Sequence, residues 1–344
     1  ENGIIKQAQK ANEATTDKGA EEKVGLSVSA ARAKGMGVLT VSNLKEEVEN
    51  SYGGTVTGTE FPVTVTIDGK KFTVKSTGEV TQDGSSPTDK ISKTTSYVGY
   101  YADLDPTDGK IDGIIYADLA VGNQGSGQWG DTEEKYTIPK VDKIEELKDY
   151  YISQTNYNGN DANGKGFGKR DVISPTGTGT DRFYIMALTD IDGQINGTYY
   201  DWYSAAYYYN NNKGMKDFAS TTFIGFGKGK TNTATMISKW NTKSYGDKNQ
   251  CSDGHLDMWG QIQTQVNNGW FVPSKEEWAA FAGELGISTD NSNEKYYENF
   301  GLSDNYWSSS QYSANLAWYA AFYYGCMGDN RVSYESYVRL SATF

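Results

Sequence analysis

Asp103, Asp105, Asp108 and Asp112 fall in the run Asp103-Leu104-Asp105-Pro106-Thr107-Asp108-Gly109-Lys110-Ile111-Asp112-Gly113, which gathers four carboxylates around a glycine turn. Ca²⁺ loops use such a set because a hard ion needs convergent oxygens. Pro106 is inserted and no Glu closes the run, so it departs from EF-hand spacing; a solvated acidic turn stands beside a Ca²⁺ loop as the alternative reading. Gly225-Phe226-Gly227-Lys228-Gly229-Lys230-Thr231 looks like a phosphate-binding loop, but Ile224 stands where its first glycine belongs. The spacing predicts a Gly-rich turn leading into a helix. Cys251-Ser252-Asp253-Gly254-His255-Leu256-Asp257 offers a thiol, an imidazole and carboxylates to a metal, and reads first as a polar loop. Cys251 and Cys326 are the only cysteines, and a bond between them stays open.

Composition narrows the chemistry. The 344 residues carry 32 Lys+Arg against 44 Asp+Glu, a net charge of −12, which repels phosphate backbones and anionic lipid. Nucleic acid is therefore not an expected partner. A single His and two Cys leave little for zinc or His-dependent catalysis, so no catalytic residue is assigned and the chain is expected not to be an enzyme. Aromatic residues reach 13%, including 26 Tyr, and tyrosine in excess suits recognition surfaces as well as sheet faces. No run is long and apolar enough to span a bilayer.

Several elements must position these groups. Ile4, Ile5, Ala8 and Ala11 share a helical face and predict a helix from Ile4 to about Ala33, and Ser42 caps a second from there to Glu49. Phe61 to Val74 alternates strictly around Asp68-Gly69, the signature of a two-residue hairpin. Gln82 to Thr94 is rich in Ser, Asp, Thr and Gly and predicts a linker, placed at 86–95. Beyond it, strands at Gly113–Val121 and Arg182–Thr189 alternate with helices at Val141–Tyr150, Asn232–Trp240 and Met258–Val266. Ser274 and Glu277 form a capping box for a helix bearing Trp278, Phe281 and Leu285, with Gly286 as its stop. The fold class expected is α+β, with an irregular domain at 96–344.

The C-terminal third carries Gly269-Trp270-Phe271-Val272-Pro273-Ser274, Tyr306-Trp307-Ser308-Ser309-Ser310-Gln311, Ala317-Trp318-Tyr319-Ala320-Ala321-Phe322, Tyr323-Tyr324-Gly325 and Tyr337-Val338-Arg339-Leu340. In combination these resemble the C-type-lectin-like fold shared by formylglycine-generating enzymes and by the variable proteins of diversity-generating retroelements. The enzyme branch works with reactive cysteines, and this stretch has only Cys326. The resemblance to the variable proteins implies mutagenesis at adenines, which turns asparagine codons into Tyr, Ser, Asp, Gly, Cys, Arg, Ala, Leu or Val but not Trp, Lys, Gln, Glu or Met. Between about 313 and 336 it implies ligand contacts at Ser313, Asn315, Tyr319, Ala321, Tyr323, Tyr324, Cys326, Gly328, Asp329, Arg331, Ser333 and Tyr334. Tyr319, Tyr323, Tyr324 and Tyr334 are the expected anchors, Asp329 and Arg331 the charge contacts, and Trp307, Trp318 and Phe322 the buried frame. This mixture of Tyr, Ser, Gly, Asn, Asp and Arg is also that of an antibody paratope.

Glu1-Asn2-Gly3-Ile4-Ile5-Lys6-Gln7-Ala8 and the Ala-rich stretch after it resemble Gram-positive type IV pilin-like proteins just past their hydrophobic segment. That resemblance implies a pilin-like region at 1–85, a tether through a membrane segment preceding Glu1, and pilus subunits as partners. Together the two resemblances imply a protein displayed at the cell surface or in a pilus, binding a protein or glycan. The alternatives are a fixed carbohydrate- or cell-wall-binding lectin and a structural pilus subunit. No cofactor is expected apart from Ca²⁺ at the four aspartates.

Overall fold

The computed structural model describes residues 19–83, 90–123, 129–130, 134–195, 197–205, 222–242, 244, 256–289 and 295–344. The chain divides into two compact units, Glu1–Thr88 and Asp89–Phe344. It is mixed α+β, and among the described residues no helix is long and apolar enough to cross a membrane.

In the first unit, helix α1 spans 19–34 and buries Ala20, Val24, Val28 and Ala31, one face at helical spacing. The apolar face expected at Ile4 to Ala11 lies outside the described residues. Helix α2, Val41–Tyr52, starts one residue before the expected Ser42 because Thr40 is its cap, its side chain accepting the Asn43 N–H. Leu44 and Val48 are its buried residues. Strands β1 (Thr55–Thr57), β2 (Val63–Ile67), β3 (Lys70–Val74) and β4 (Val80–Asp83) form an antiparallel meander. Asp68 and Gly69 both take positive φ, 52° and 77°, as a two-residue hairpin turn requires. Val63, Val65, Ile67, Phe72 and Val74 fill the core with the helix faces, and truncating Phe72 to Ala would cost about 3–5 kcal/mol.

The second unit is built around a six-stranded sheet in the order β15-β9-β6-β5-β8-β7. Its strands are β5 (Tyr101–Ala102), β6 (Gly113–Asp118), β7 (Asp149–Asn160), β8 (Gly166–Thr176), β9 (Phe183–Ala187) and β15 (Ser341–Thr343). All pairings are antiparallel except β5 with β8. Every residue of β6 is buried, Ile114 and Tyr116 in one apolar cluster and Ile115 in another, so the sheet is a covered layer. The predicted helix at Val141–Tyr150 is not formed. Only a 3₁₀ turn at Ile144–Glu146 survives, because Tyr150 and Ile152 pair with Pro175 and Ile173 across the long β7–β8 hairpin.

Helix α3 (Gly229–Thr242) is followed by α4 (Met258–Gln261), α5 (Gln263–Asn267) and α6 (Lys275–Glu284). The single helix expected at Met258–Val266 is thus two, broken at Ile262, which is buried against Trp259 and Trp202. β10 (Tyr200–Asp201) pairs with β14 (Glu335–Ser336), and β11 (Asn305–Gln311), β12 (Leu316–Ala321) and β13 (Cys326–Arg331) form a three-stranded antiparallel sheet. Trp278 of α6 stacks on Tyr306, ring centroids 5.0 Å apart, and its indole N–H donates to the Trp307 carbonyl at 3.1 Å. Those contacts fix the helix on one face of the small sheet.

Candidate functional site

Register decides which side chains of the small sheet can reach a ligand. Tyr306, Ala320 and Met327 lie in one row and Trp307, Tyr319 and Gly328 in the next, so the two rows face opposite sides. The first row packs beneath α6, and the second joins the cluster around Trp202 and Trp259. Toward the Leu316 end the α6 side opens. There Leu316 is paired with Arg331 and Trp318 with Asp329, and both charged residues are exposed. Lys275, 7% exposed, sets its ammonium 3.8 Å from the Trp318 ring centre, while Tyr312 meets Trp318 edge-on at 4.9 Å.

The expected contact residues separate into two groups. Ser313 and Asn315 sit in the turn that closes on Leu316, and Val332 donates its N–H to the Asn315 carbonyl. Arg331 and Tyr334 belong to the same end, with the guanidinium 5.6 Å from the Tyr334 ring centre and Ser333 half-buried between them in sequence. Tyr323 and Tyr324 occupy the turn at the opposite end of β12, edge-on to one another at 5.1 Å. β12 has six residues, which separates the two ends by roughly 17 Å at 3.3 Å per residue. Asp329 lies between them on the exposed side, and half-buried Cys326 lies beside Ala321 at the Tyr323 end.

Three expectations are corrected. Ala321 is 2% exposed and packs in the sheet interior, so it offers nothing to a ligand. Tyr319 is half-buried, with burial pushing its phenol above the usual range, and its ring meets Trp307 edge-on, the ring centres 6.2 Å apart and the planes at 74°. A Cβ at Gly328 would come within 2.9 Å of that ring, so glycine there makes room for Tyr319. Trp307 and Phe322 are buried as expected of a frame, whereas Trp318 is half-buried and joins the exposed ridge.

The three serines of β11 hold this site to its surroundings. Ser308 donates to the Trp318 carbonyl at 2.8 Å, Ser310 to the Phe223 carbonyl at 2.8 Å, and Asn232 of α3 to the Ser309 hydroxyl at 3.2 Å. All three serines are buried, so each hydroxyl replaces a bond otherwise made to water. A shift in pairing between Trp307 and Gln311 makes room for them.

No family model matches this sequence, and no curated protein does. Among solved structures, the chain is similar to the crystal structure of a fimbrial protein from Bacteroides ovatus ATCC 8483, at 13% identity and a TM-score of 0.32. The match covers 82% of this chain and 56% of that one. A TM-score of 0.32 lies below the level at which two chains share a fold, so nothing of that protein is carried over.

The other motifs resolve differently. Cys251 and His255 lie outside the described residues. Gly225–Lys228 forms the turn expected before α3, and the N–H groups of Gly227 in the turn and Gly229 at the start of α3 do bind an anion, the Glu277 carboxylate of this chain. In the acidic run, Asp105 accepts from the Thr107 N–H at 3.0 Å, Asp108 from the Lys110 N–H at 2.8 Å and Asp112 from the Leu104 N–H at 2.7 Å. Asp103 is 7% exposed. Among the described residues no group of three or more carboxylate, thiol or imidazole side chains is placed to hold a metal ion.

The sequence reading passed over Tyr312, Phe223 and Ile224, which are 50%, 48% and 44% exposed along the same edge. Tyr312 carried a signal, an aromatic residue at the border of a polar run. Phe223 and Ile224 carried none, since the bonds that bring them beside β11 come from Asn232, Ser310 and the Glu276 N–H, away from them in the chain.

Proposed function

We propose that this chain is a surface-displayed ligand-binding protein with a C-type-lectin-like second unit, and that its contact segment, about 313–336, is diversified by adenine mutagenesis. The carrying observation is how burial falls along that segment. Met327, outside the adenine-reachable set, and the frame residues Trp307 and Phe322 are buried, while the reachable Tyr323, Tyr324, Asp329, Arg331 and Tyr334 are exposed. Buried Ala317, Ala320, Ala321 and Val332, of reachable types, and the exposed Glu335, of an unreachable type, run against the pattern.

The lectin-like reading rests on the motifs around Trp270, Trp307, Trp318 and Tyr337, and their proximity supports it. Tyr306 bridges to Tyr337, Phe271 to Ser341, and Trp307 donates to the Tyr200 carbonyl at 2.8 Å. Display at the surface rests on the sequence of residues 1–8 alone. The ligand is macromolecular in this reading, because the two groups of exposed residues are too far apart for one sugar ring. A face of that length suits a protein or a polymeric glycan, with the tyrosines supplying contact area at low entropic cost.

Deep sequencing of the 3′ end of the gene across cells of the source population tests the diversification. Substitutions confined to adenine-bearing codons between Ser313 and Ser336, with Trp307, Trp318 and Phe322 untouched, are the expected result. A uniform sequence would replace this reading with that of a fixed carbohydrate- or cell-wall-binding protein.

A further inference from the structure

We propose that the Leu316 end of the contact face is a subsite for an acidic polysaccharide, whose carboxylates are taken by Lys228 and Lys275 and whose sugar rings lie against Phe223, Tyr312 and Trp318. This rests on the reading of that face as a ligand-binding surface and adds the chemistry of what it takes. The chain as a whole carries −12, so an anion is drawn here only by a local gathering of cations.

Ser310 is the hub of that gathering. Its hydroxyl donates to the Phe223 carbonyl at 2.8 Å and accepts the Lys275 N–H at 3.0 Å, which sets the Gly-rich turn beside the start of α6. The Lys228 ammonium lies 5.9 Å from the Phe223 ring centre, and the Lys275 ammonium lies over Trp318, with Tyr312 edge-on to the same indole. Two cations, each set against an aromatic ring, therefore flank one serine. Phe223, Lys228 and Tyr312 are exposed.

Both lysines stand where their own fold opposes a positive charge. Lys275 is the first residue of α6 and Lys228 directly precedes α3, and a helix N-terminus disfavours a cation. Lys275 is also 7% exposed, yet neither ammonium forms an ion pair or hydrogen bond among the described residues. The carboxylates of the adjoining first turn are committed elsewhere: Glu276 accepts the Phe226 N–H at 3.0 Å and Glu277 the Gly227 N–H at 3.0 Å. A desolvated cation without a paired counter-charge is a cost that folding does not recover, and an anionic ligand supplies the missing partner.

The remaining groups favour sugar over peptide. An extended peptide is captured by open backbone groups. Here the Phe223 N–H and carbonyl are both bonded to Asn232, the Ile224 carbonyl accepts the Glu276 N–H, and the Tyr312 and Ser313 N–H groups both donate to the Leu316 carbonyl. What is left is aromatic ring and ammonium, an apolar surface for the C–H side of a sugar beside a donor for its carboxylate. Phe223, Lys228 and Lys275 lie outside 313–336, so this subsite stays constant while the segment beside it varies.

Titration calorimetry of the full chain with polygalacturonate, neutral dextran and polyglutamate tests this. Polygalacturonate is expected to bind, more weakly as NaCl is raised, and dextran not to. Lys228→Gln, at an exposed position, should melt with the wild type and bind about tenfold more weakly; Lys275→Gln should lose about as much, and Lys275→Arg should keep wild-type affinity. Asp329→Asn removes an exposed carboxylate across from Trp318 and should tighten binding. No binding of polygalacturonate would overturn the proposal, as would equal binding of polyglutamate, which would make this an acidic-peptide site. Unchanged affinity in either Lys→Gln variant, an equal loss in Lys275→Arg, or weaker binding by Asp329→Asn would overturn it too. Sequencing alone decides the diversification of 313–336, so the two readings can fail separately.

Discussion

The Glu277 carboxylate accepts the backbone N–H of Gly227 at 3.0 Å, joining the first turn of α6 to the Gly-rich turn before α3. The Gly229 N–H reaches the same oxygen at 3.4 Å, and the Ser274 N–H reaches the other at 2.7 Å. Backbone N–H groups converging at a Gly-rich turn favour an anion, and here the anion belongs to the protein. A Cβ on Gly229 would overlap Glu277 and come within 2.8 Å of the Val272 carbonyl, which explains the glycine without invoking a nucleotide. Glu277→Gln presents an amide N–H₂ to donors and should lower stability by about 2–4 kcal/mol, read from urea midpoints. Gly229→Ala should cost about 1–3 kcal/mol through overpacking.

Burial raises the Glu277 carboxyl from 4.5 to about 7 in spite of those donors. Its folded-state value lies above its unfolded one, so between those values the folded chain binds more protons. The contribution of this group is full below pH 4.5 and is lost as pH rises toward 7. Asp149 and Asp181, held low by Lys90 and Lys148, act in the opposite direction as pH falls. The expected signature is therefore differential: the stability gap between wild type and Glu277→Gln changes across that window. A gap constant from pH 4 to pH 8 would show that Glu277 does not titrate there.

Arg182 and Asp118, both buried, form a forked pair with two N–H···O bonds of 2.8 Å. The same guanidinium donates to the Ser92 and Thr95 carbonyls, tying the start of the second unit to β6. Lysine cannot reproduce that fork, so Arg182→Lys should destabilise by about 3–5 kcal/mol. A loss below 1 kcal/mol in calorimetric unfolding would refute the assignment.

Frame and face should separate cleanly by mutation. Tyr323→Ala, Tyr324→Ala and Tyr334→Ala are expected to change stability by no more than about 0.5 kcal/mol, while Trp307→Ala costs about 3–5 kcal/mol. Thermal melts of the four variants measure this. A large loss at any of the three tyrosines would make it part of the core.

Gly328→Ser should turn the Tyr319 ring outward for a stability cost of about 1–2 kcal/mol. Tyr319 would then join the exposed face, seen as increased solvent exposure of one tyrosine in difference absorption. If residue 328 varies naturally, this one position changes the surface through its neighbour.

Local signals carried the reading wherever chemistry acts over a few residues. Asp68-Gly69 specifies the hairpin because its φ values suit the turn, and Ser274 with Glu277 specifies the start of α6 through reciprocal capping bonds. At 141–150 the sequence has helical composition, yet pairing with residues near 173–176 prevails, and no window of sequence contains that competition. The contact segment was legible as a composition, but its division into two ends follows from where β12 starts and stops. Trp318 looked like frame by residue type, yet it is half-buried, with Lys275 at the start of α6 and Tyr312 against its ring.

β15 follows the contact segment and lies beside β9, with the Arg182 and Phe183 N–H groups both donating to the Phe344 carbonyl. A premature stop or frameshift anywhere between 313 and 336 therefore deletes an edge strand of the main sheet and strips Phe344 from its place against Tyr150 and Phe183. Folding thus acts as a reading-frame check: only an intact segment, whatever its letters, delivers the strand that completes the domain.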